Sequence, residues 1–215
     1  MKLVLHSYWR SSASHRVRIG LGLKQLPYDY AAVNILQGDQ LAETYRAKNP
    51  MAQVPTLEIT EDDGTRVALT QSLAILEYLE ERWPDPAILP RDPLLRARAR
   101  ALAEIVNAGV QPLQNSATLK RIKAIGGDEA AWIRPIIADG LAAFAQISAD
   151  VAGTFSVGDA PTIADCCLVP QLAGARRFQV DLEPYARLLA IEAHCLPLPA
   201  FADAMPHHQP DAVKS

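Results

Sequence analysis

The sequence predicts two domains, a small α/β domain followed by an all-helical domain, and three observations support this fold class. The apolar run Leu3 to Leu5 indicates a buried strand, and a helical pattern follows it from Val17 to Leu26. Asp62-Asp63-Gly64 is typical of a hairpin turn between two strands. Four prolines lie between residues 84 and 93, and no strand pattern recurs beyond them. We therefore expect a first domain over residues 1–83, a linker over 84–93 and a helical domain over 94–215.

The elements of the first domain predict a mixed four-stranded sheet with helices packed on it. A strand-helix-strand start gives a parallel pair of strands, and the hairpin adds an antiparallel pair. Composition and periodicity place the remaining elements as a strand over Tyr28–Ile35, a short helix over Gln40–Lys48, strands around Leu57 and Ile59 and around Val67 and Leu69, and a helix marked by Leu73, Leu76, Leu79 and Trp83.

The second domain is expected to contain only helices. Helical patterns run from Leu94 to about Lys123 and from Ala130 to Val151. Thr162 and Asp165 have the spacing of a capping box, which predicts that a further helix begins there. The polar tail from Pro206 is expected to be loose.

Composition excludes several function classes. The net charge of −3 argues against a protein that binds nucleic acid through bulk charge. No apolar stretch reaches the ~18 residues of a membrane helix, and no signal peptide precedes the first strand. The three cysteines are odd in number, two of them are adjacent, and no Cys/His cluster has metal-ligand spacing. We expect a cytoplasmic protein without a disulfide framework or a metal.

The turn between the first strand and the first helix is the candidate site. Three serines, Ser11, Ser12 and Ser14, lie where unpaired backbone N–H groups and the helix dipole favour an anion. If that anion is a thiolate, the turn lowers the pKa of the thiol and produces a nucleophile at neutral pH. Since no cysteine lies near the turn, the sulfur must come from a cofactor.

Several segments resemble one family in a single register along nearly the whole chain. Ser11-Ser12-Ala13-Ser14-His15-Arg16-Val17-Arg18-Ile19 resembles the Ser-Ser-Cys-Ser-Trp-Arg-Val-Arg-Ile signature of the zeta class of glutathione transferases, which includes the maleylacetoacetate isomerases. The match continues in Asn49–Leu57, Gln71–Ile75, Gln111–Asn115 and Gly158–Asp165. The resemblance implies a thioredoxin-like first domain, a proline linker and an all-helical second domain, which is the fold of soluble glutathione transferases.

Two positions depart from that signature. Ala13 stands where the class has cysteine, and His15 stands where it has tryptophan. In the zeta class the serine is held to activate the thiol, so Ala13 leaves isomerisation possible. The pair Ser14-His15 also resembles bacterial maleylpyruvate isomerases, whereas Gln111 is zeta-like because those enzymes have histidine in this segment. We expect His15 to pack or form hydrogen bonds rather than act as a base, and Arg16 and Arg18 to be structural or surface charges.

The resemblance implies a glutathione site in the first domain, completed by residues of the helical domain. Ser11 would donate to the sulfur, with Ser12 as the main alternative, and Val54 beside a cis Pro55 would bond the cysteinyl amide. Gln71 and Ser72 would bind the γ-glutamyl carboxylate, and Gln40 the glycyl end. The full implied set for the cofactor is Ser11, Ser12, Ala13, Ser14, Gln40, Val54, Pro55, Gln71, Ser72, Gln111 and Asn115. Arg10, Arg177 and, less favoured, Arg176 would bind the carboxylates of a small keto-diacid substrate.

The activity implied is glutathione-dependent cis-trans isomerisation of maleylacetoacetate in aromatic amino-acid breakdown, by reversible addition of thiolate to the cis double bond. The alternatives are a maleylpyruvate isomerase, a transferase that conjugates or dehalogenates small electrophiles, and a non-catalytic binding module. The resemblance also implies a homodimer.

Overall fold

The computed structural model describes residues 1–213, which form two compact units. The first unit comprises Met1–Ile88 together with residues 198–213, and the second comprises Leu89–Pro197. The sequence-based boundary placed everything after residue 93 in the helical domain. It was wrong for residues 198–213, which we call the C-terminal segment, because they pack on the first unit.

The first unit is built on the four-stranded mixed sheet that the sequence predicts. Strand β1 is central, pairing in parallel with β2 and antiparallel with β3, which in turn pairs antiparallel with β4. The strand order is β2-β1-β3-β4, and the strands span Lys2–Ser7, Asp29–Ala32, Thr56–Thr60 and Arg66–Thr70 in chain order.

Apolar side chains on one face of the sheet form the core of the first unit. Leu5 lies opposite Leu57, and Leu57 lies opposite Leu69 in the next strand. Helices α1 (Ser12–Leu23) and α3 (Ser72–Arg82) contribute the rest, while α2 (Glu43–Arg46) follows a 3₁₀ turn at Asp39–Leu41. The buried cluster consists of Leu3, Leu5, Val17, Leu21, Leu57, Ile59, Ile75 and Leu79.

Helix α1 begins earlier and ends earlier than periodicity predicts. Ser11 caps its first turn by accepting a hydrogen bond from the Ser14 N–H, so the helix begins at Ser12 rather than at Val17. It ends at Leu23 because Gln25 adopts a left-handed conformation with φ 55°. Its starting point places three serines within the first turn or directly before it.

The C-terminal segment is ordered, which corrects the expectation of a loose tail. It contains α10 (Pro199–Ala202) and a 3₁₀ turn at Pro206–His208. The buried amide of Gln209 donates to the carbonyl oxygens of Asp203 at 2.8 Å and Met205 at 2.9 Å. Polar side chains therefore order this segment through hydrogen bonds that a hydropathy pattern does not reveal.

The described part of the second unit consists of helices and short turns. The long helix predicted from Leu94 to Lys123 is interrupted, because Asn115 is extended with ψ 140° and caps a new helix through Ala117 N–H. The elements are α4 (Pro93–Glu104), a π-helical turn (Ile105–Val110), α5 (Gln111–Gln114), α6 (Ser116–Ala124), α7 (Glu129–Ser148), α8 (Ile163–Arg177), a 3₁₀ turn (Glu183–Tyr185) and α9 (Ala186–Cys195).

The start of α8 confirms the predicted capping box. Thr162 caps the helix, and the buried Asp165 carboxylate accepts from Thr162 N–H at 2.7 Å and Ser156 N–H at 2.8 Å. Burial raises the pKa of Asp165, while these hydrogen bonds oppose the rise. Cys166 and Cys195 are buried free thiols in this unit. Within residues 1–213, none of the helices has the length and apolar character needed to cross a bilayer.

Close packing of α1 on α10 generates a testable prediction. A Cβ added at Gly22 would lie 2.9 Å from Cα of Ala200, which is backbone and cannot rotate away. We expect Gly22→Ala to lower the free energy of unfolding by about 1–3 kcal/mol, measured by urea denaturation.

Gly174 supplies the matched control, because a Cβ there meets no atom within 4 Å and the residue lies inside α8. Gly174→Ala should raise stability by about 0.5–1 kcal/mol through helix propensity alone. Equal effects of the two substitutions would contradict the packing argument.

Candidate functional site

The site is built where the central strand ends and α1 begins. Strand β1 is hydrogen-bonded on both sides, so its end at Ser7 is fixed in position. A tight turn follows in which the Ser11 N–H donates to the Tyr8 carbonyl at 2.9 Å. The Ser11 carbonyl then accepts from His15 N–H at 2.9 Å as the first turn of α1 forms. The backbone therefore holds Ser11 on both sides.

The serines of this turn differ in accessibility. Ser11 is partly exposed, and its Oγ accepts from Ser14 N–H at 3.2 Å, which leaves its hydroxyl proton to donate. Ser12 and Ala13 are also partly exposed. Ser14 is fully buried, and its Oγ lacks a hydrogen-bond partner among the described residues. Of the three predicted serines, Ser11 and Ser12 can meet a ligand through their hydroxyls, and Ser14 faces the core.

A second helix N-terminus belongs to the same unit. Ser72 begins α3, and its Oγ accepts a hydrogen bond from Nη1 of Arg16 on α1 at 3.2 Å. Arg16 is 1% exposed, so a buried cation lies behind this N-terminus. Backbone N–H groups, the helix dipole and the guanidinium all favour an anion there.

The residue before Ser72 has an unusual backbone conformation. Gln71 adopts φ 70° and ψ 115°, which costs a residue with a Cβ about 1–3 kcal/mol. Its exposed amide contacts Met51 Sδ at 3.5 Å. Strained backbone of this kind is concentrated at ligand-binding positions, and the roles of Gln71 and Ser72 as ligands stay predictions.

The loop before β3 is ordered by side-chain hydrogen bonds to its backbone. The Val54–Pro55 peptide is cis, as the resemblance implied, and Val54 is partly exposed. Tyr45 Oη and Asn49 Nδ2 both donate to the Gln53 carbonyl, at 2.6 and 2.7 Å. These two bonds order the loop without using the backbone of Val54.

Gln40, predicted to bind the far end of the cofactor, lies in the 3₁₀ turn Asp39–Leu41. Its Oε1 is buried and has no hydrogen-bond partner among residues 1–213. A buried amide group without a partner costs free energy that a bound polar ligand would recover.

The remaining candidates for the cofactor lie in the second unit. Gln111 Oε1 accepts from Gln114 Nε2 at 3.0 Å, and Gln114 exchanges two hydrogen bonds with Gln171 of α8, at 2.9 and 3.2 Å. This chain of buried amides orients the side chain of Gln111. Asn115 instead uses its Oδ1 to cap α6 through Ala117 N–H at 2.9 Å.

The three candidate arginines have different partners. The guanidinium of Arg10 lies 5.5 Å from the centroid of the Trp9 ring, and that of Arg177 lies 4.6 Å from the centroid of the Phe178 ring. Both side chains are exposed. Arg176 forms a bidentate ion pair with the buried carboxylate of Glu192, which occupies the fork that would bind a substrate carboxylate.

Sequence reasoning missed the burial of two arginines in α1. Arg16 and Arg18 are 1% and 2% exposed, so the expectation of surface charges was wrong and that of structural roles was right. Every residue of α1 from Ser14 to Leu21 is buried, because the C-terminal segment packs on this helix in addition to α3 and the sheet. Sequence reasoning could not detect this burial, because no local pattern indicates that the C-terminal segment packs on α1.

Comparisons with known proteins agree with this geometry. Residues 10–82 match the family model described as glutathione S-transferase, N-terminal domain. A maleylpyruvate isomerase of Ralstonia is 46% identical over 97% of this chain and 99% of its own length. The mouse maleylacetoacetate isomerase is 43% identical over 98% and 95%.

Solved structures extend the match to the whole chain. The maleylacetoacetate isomerase of Anaeromyxobacter dehalogenans, crystallised with glutathione in its active site, has a TM-score of 0.91 and 53% identity over 99% of this chain and 98% of its own. A maleylpyruvate isomerase described as a zeta-class bacterial glutathione transferase has a TM-score of 0.91 and 44% identity over 98% and 100%. This chain belongs to the glutathione transferase family, within the zeta class of maleylacetoacetate and maleylpyruvate isomerases.

The burial of His15 generates a prediction about stability and pH. Burial and the nearby charge of Arg18 hold the pKa of His15 well below its usual value. As pH falls below about 6.5, the unfolded chain takes up a proton at this residue and the folded chain does not, so folding stability is lost. Replacing His15 by leucine should remove about 1.2 kcal/mol of the stability lost between pH 7 and 5.5, measured by urea denaturation at both values.

His6 offers a contrast. Burial also lowers its pKa, but a hydrogen bond to Glu58 at 3.3 Å opposes the shift, so His6→Gln should change the pH dependence less. A His15→Leu variant with the same pH dependence as the parent would show that His15 is protonated inside the folded protein.

Proposed function

We propose that this protein is a glutathione-dependent cis-trans isomerase that converts maleylacetoacetate to fumarylacetoacetate. One observation carries the proposal: Ser11 presents its hydroxyl at the N-terminus of α1, in a turn without cysteine. Such a turn stabilises a thiolate that arrives with a cofactor. The full-length identity to isomerases of this type, one of them crystallised with glutathione, supports glutathione as that cofactor.

The residues of the first unit fit glutathione. The N-terminus of α3 at Gln71 and Ser72, backed by the buried Arg16, suits the γ-glutamyl carboxylate. Val54, partly exposed beside the cis Pro55, would bond the cysteinyl amide through its backbone, and the buried amide oxygen of Gln40 has no partner within residues 1–213. Ser12, Ala13, Ser14, Gln111 and Asn115 remain predictions from the resemblance; for Ser14 the only contact to be expected is through its backbone.

The chemistry requires no metal or acid-base pair. When bound, glutathione supplies a thiolate that adds to the cis double bond of the substrate, lets that bond rotate and leaves again. Ser11 donates its hydroxyl proton to the sulfur in a hydrogen bond, which is worth about 1.5–3 kcal/mol for a charged acceptor, or about one to two pKa units. Arg10, beside the turn, would bind a carboxylate of the substrate and stabilise charge on its carbonyl oxygen, and Arg177 remains a candidate carboxylate ligand from the resemblance.

Maleylpyruvate is the second candidate substrate. The Ralstonia maleylpyruvate isomerase is 46% identical to this chain, and the pair Ser14-His15 resembles that group. A conjugating or dehalogenating transferase, or a non-catalytic binding module, would keep the same cofactor site but would not isomerise either diacid.

The proposal extends to the setting of the enzyme. We infer a homodimer in the cytoplasm, where the three free cysteines, all buried, would stay reduced. Light scattering on the purified protein tests the assembly, and a mass of one chain would contradict it.

The activity is tested by adding purified protein to maleylacetoacetate and, separately, to maleylpyruvate, with and without catalytic amounts of glutathione. Proton NMR should show conversion to the trans isomer only when glutathione is present, with glutathione unchanged at the end. The diacid that is isomerised at the higher rate is identified as the preferred substrate. Binding of glutathione without turnover of either diacid would leave a transferase or a binding module.

Substitutions at Ser11 separate its two roles. Ser11→Ala should lower kcat by about 10- to 150-fold, the equivalent of 1.5–3 kcal/mol, and also cost about 1 kcal/mol of stability through the lost cap. Ser11→Asp retains a cap acceptor but removes the donor and adds a negative charge, so it should keep the stability and lose the activity. Steady-state kinetics and urea denaturation measure the two effects.

Ser12→Ala is the control for Ser11, because Ser12 lies inside α1 and does not cap it. We expect it to change kcat less than threefold, which is below about 0.7 kcal/mol. A larger loss at Ser12 than at Ser11 would transfer the role of donor to Ser12.

Adjacent arginines at the end of α8 provide a matched pair for the substrate. Arg177→Gln should raise KM for the diacid about tenfold, the equivalent of 1.4 kcal/mol, by removing a carboxylate ligand. Arg176→Gln breaks the pair with Glu192 and should lower the melting temperature with little change in KM. If Arg176→Gln instead raised KM and Arg177→Gln did not, Arg176 would be the carboxylate ligand.

A further inference from the structure

The C-terminal segment bonds directly to the turn that holds Ser11. The carboxylate of Asp211 accepts from the Trp9 N–H at 3.0 Å through Oδ2, and from the Tyr30 hydroxyl at 2.6 Å through Oδ1. Trp9 is a central residue of the turn from Tyr8 to Ser11. A residue near the end of the chain thereby fixes a peptide two residues before the proposed thiol activator.

Arg18 binds the other backbone group of Trp9, its carbonyl, which belongs to the next peptide group. Its Nη2 donates to the Trp9 carbonyl at 3.1 Å, its Nη1 to Ser7 Oγ at 3.2 Å, and its Nε to the Ala204 carbonyl at 3.0 Å. Both backbone groups of Trp9 are therefore bound, one by a carboxylate and one by a guanidinium. The cation also ties the C-terminal segment to the end of β1.

The charges of this cluster depend on each other. Arg18 is 2% exposed, and burial lowers its pKa to about 10, while the charges of Tyr30, Tyr28 and Asp211 oppose that change. Arg18 stays cationic at neutral pH, and Asp211 provides the carboxylate opposite it. Because bonds to charged partners are about twice as strong as neutral ones, this cluster restrains the turn more firmly than backbone bonds alone.

Nothing in this cluster takes part in the proposed chemistry. Tyr30 and Arg18 lie on β2 and α1, and Asp211 lies on the C-terminal segment, whereas the sulfur is expected at Ser11. The cluster acts only on the backbone through which Ser11 is placed. A shift of a few tenths of an ångström in that backbone would lengthen the hydrogen bond from Ser11 to the sulfur, and such bonds weaken steeply with distance and angle.

We propose that Asp211, together with Arg18 and Tyr30, positions the turn from Tyr8 to Ser11 so that the Ser11 hydroxyl meets the glutathione thiol. Asp211 is a positioning residue: through it, the C-terminal segment helps to place the hydroxyl that activates the thiol. This inference rests on the proposed function, since it assigns a role in the same site.

The test titrates the thiol of bound glutathione by its ultraviolet thiolate absorbance in the parent protein and in Asp211→Ala. Loss of the carboxylate should raise the thiol pKa by about one unit, which lowers the thiolate fraction at pH 7, and with it kcat, about fivefold. The difference in kcat between Asp211→Ala and the parent should disappear above pH 9, because the glutathione thiol is ionised there in both proteins. KM for glutathione should change less than about twofold, because the groups that bind its backbone are unaltered.

Two further variants keep the inference testable if Asp211→Ala does not fold. Asp211→Asn retains an acceptor and should show a smaller rise in the thiol pKa. Tyr30→Phe removes one of the two bonds that orient the carboxylate and should also raise the thiol pKa, less than Asp211→Ala does. The matched control is Asp203→Asn, an exposed carboxylate of the same segment, which should behave as the parent does.

Three results would overturn the inference. If the parent lowers the thiol pKa and isomerises a diacid, but Asp211→Ala and Tyr30→Phe leave that pKa unchanged, the inference alone fails. If activity falls equally at every pH, the cluster has only a structural role. If the parent itself leaves the thiol pKa unchanged, the proposed function and this inference fail together.

Discussion

The structure depends on one constraint, which is that β1 is paired on both sides before it reaches the turn at Tyr8. A strand in the centre of a sheet has little freedom at its end, so the helix that follows begins at a defined point. Ser11 then has its N–H, its carbonyl and its side-chain oxygen all engaged in backbone hydrogen bonds. Only its hydroxyl proton remains to be offered to a ligand. The pairing of β1 in the sheet thus fixes the position of a hydrogen-bond donor, the Ser11 hydroxyl, at the N-terminus of α1.

The first unit buries two arginines on α1, the helix that carries that donor. Arg16 and Arg18 are buried on α1, and each bonds oxygen atoms of neighbouring elements. A buried cation without such partners would cost several kcal/mol. The guanidinium of Arg16 lies behind the N-terminus of α3, where its charge favours an anion.

Local patterns were sufficient for much of the fold. The sheet, the hairpin and the capping box at Thr162 follow from periodicity, turn residues and a three-residue spacing, and the structure confirms them. Local patterns did not predict three other features: the start of α1, the break at Asn115 and the ordered C-terminal segment. Each of them depends on side-chain hydrogen bonds. Asp211 is separated by 202 residues from Trp9, which it bonds. Local sequence patterns cover far fewer residues than that separation, so they could not predict this hydrogen bond.

The candidate site was predictable in a different way. The anion-binding turn follows from a strand, serines and a helix start, but the residues around the cofactor came from the resemblance to a family. Sequence reasoning ranked Arg177 above Arg176 as a substrate ligand, and the ion pair of Arg176 with Glu192 supplies a physical reason for that order. The resemblance grouped Ser14 with the other serines, although the helix geometry turns that hydroxyl toward the core.

The most direct test of the account is the pKa of the glutathione thiol in complex with the unmodified protein, measured by ultraviolet titration. The account requires a value about one to two units below the ordinary thiol pKa of about 8.5, because the Ser11 hydroxyl and the helix N-terminus favour the thiolate. A bound thiol that titrates at its ordinary pKa would show that the turn holds glutathione without activating it, and would contradict the mechanism.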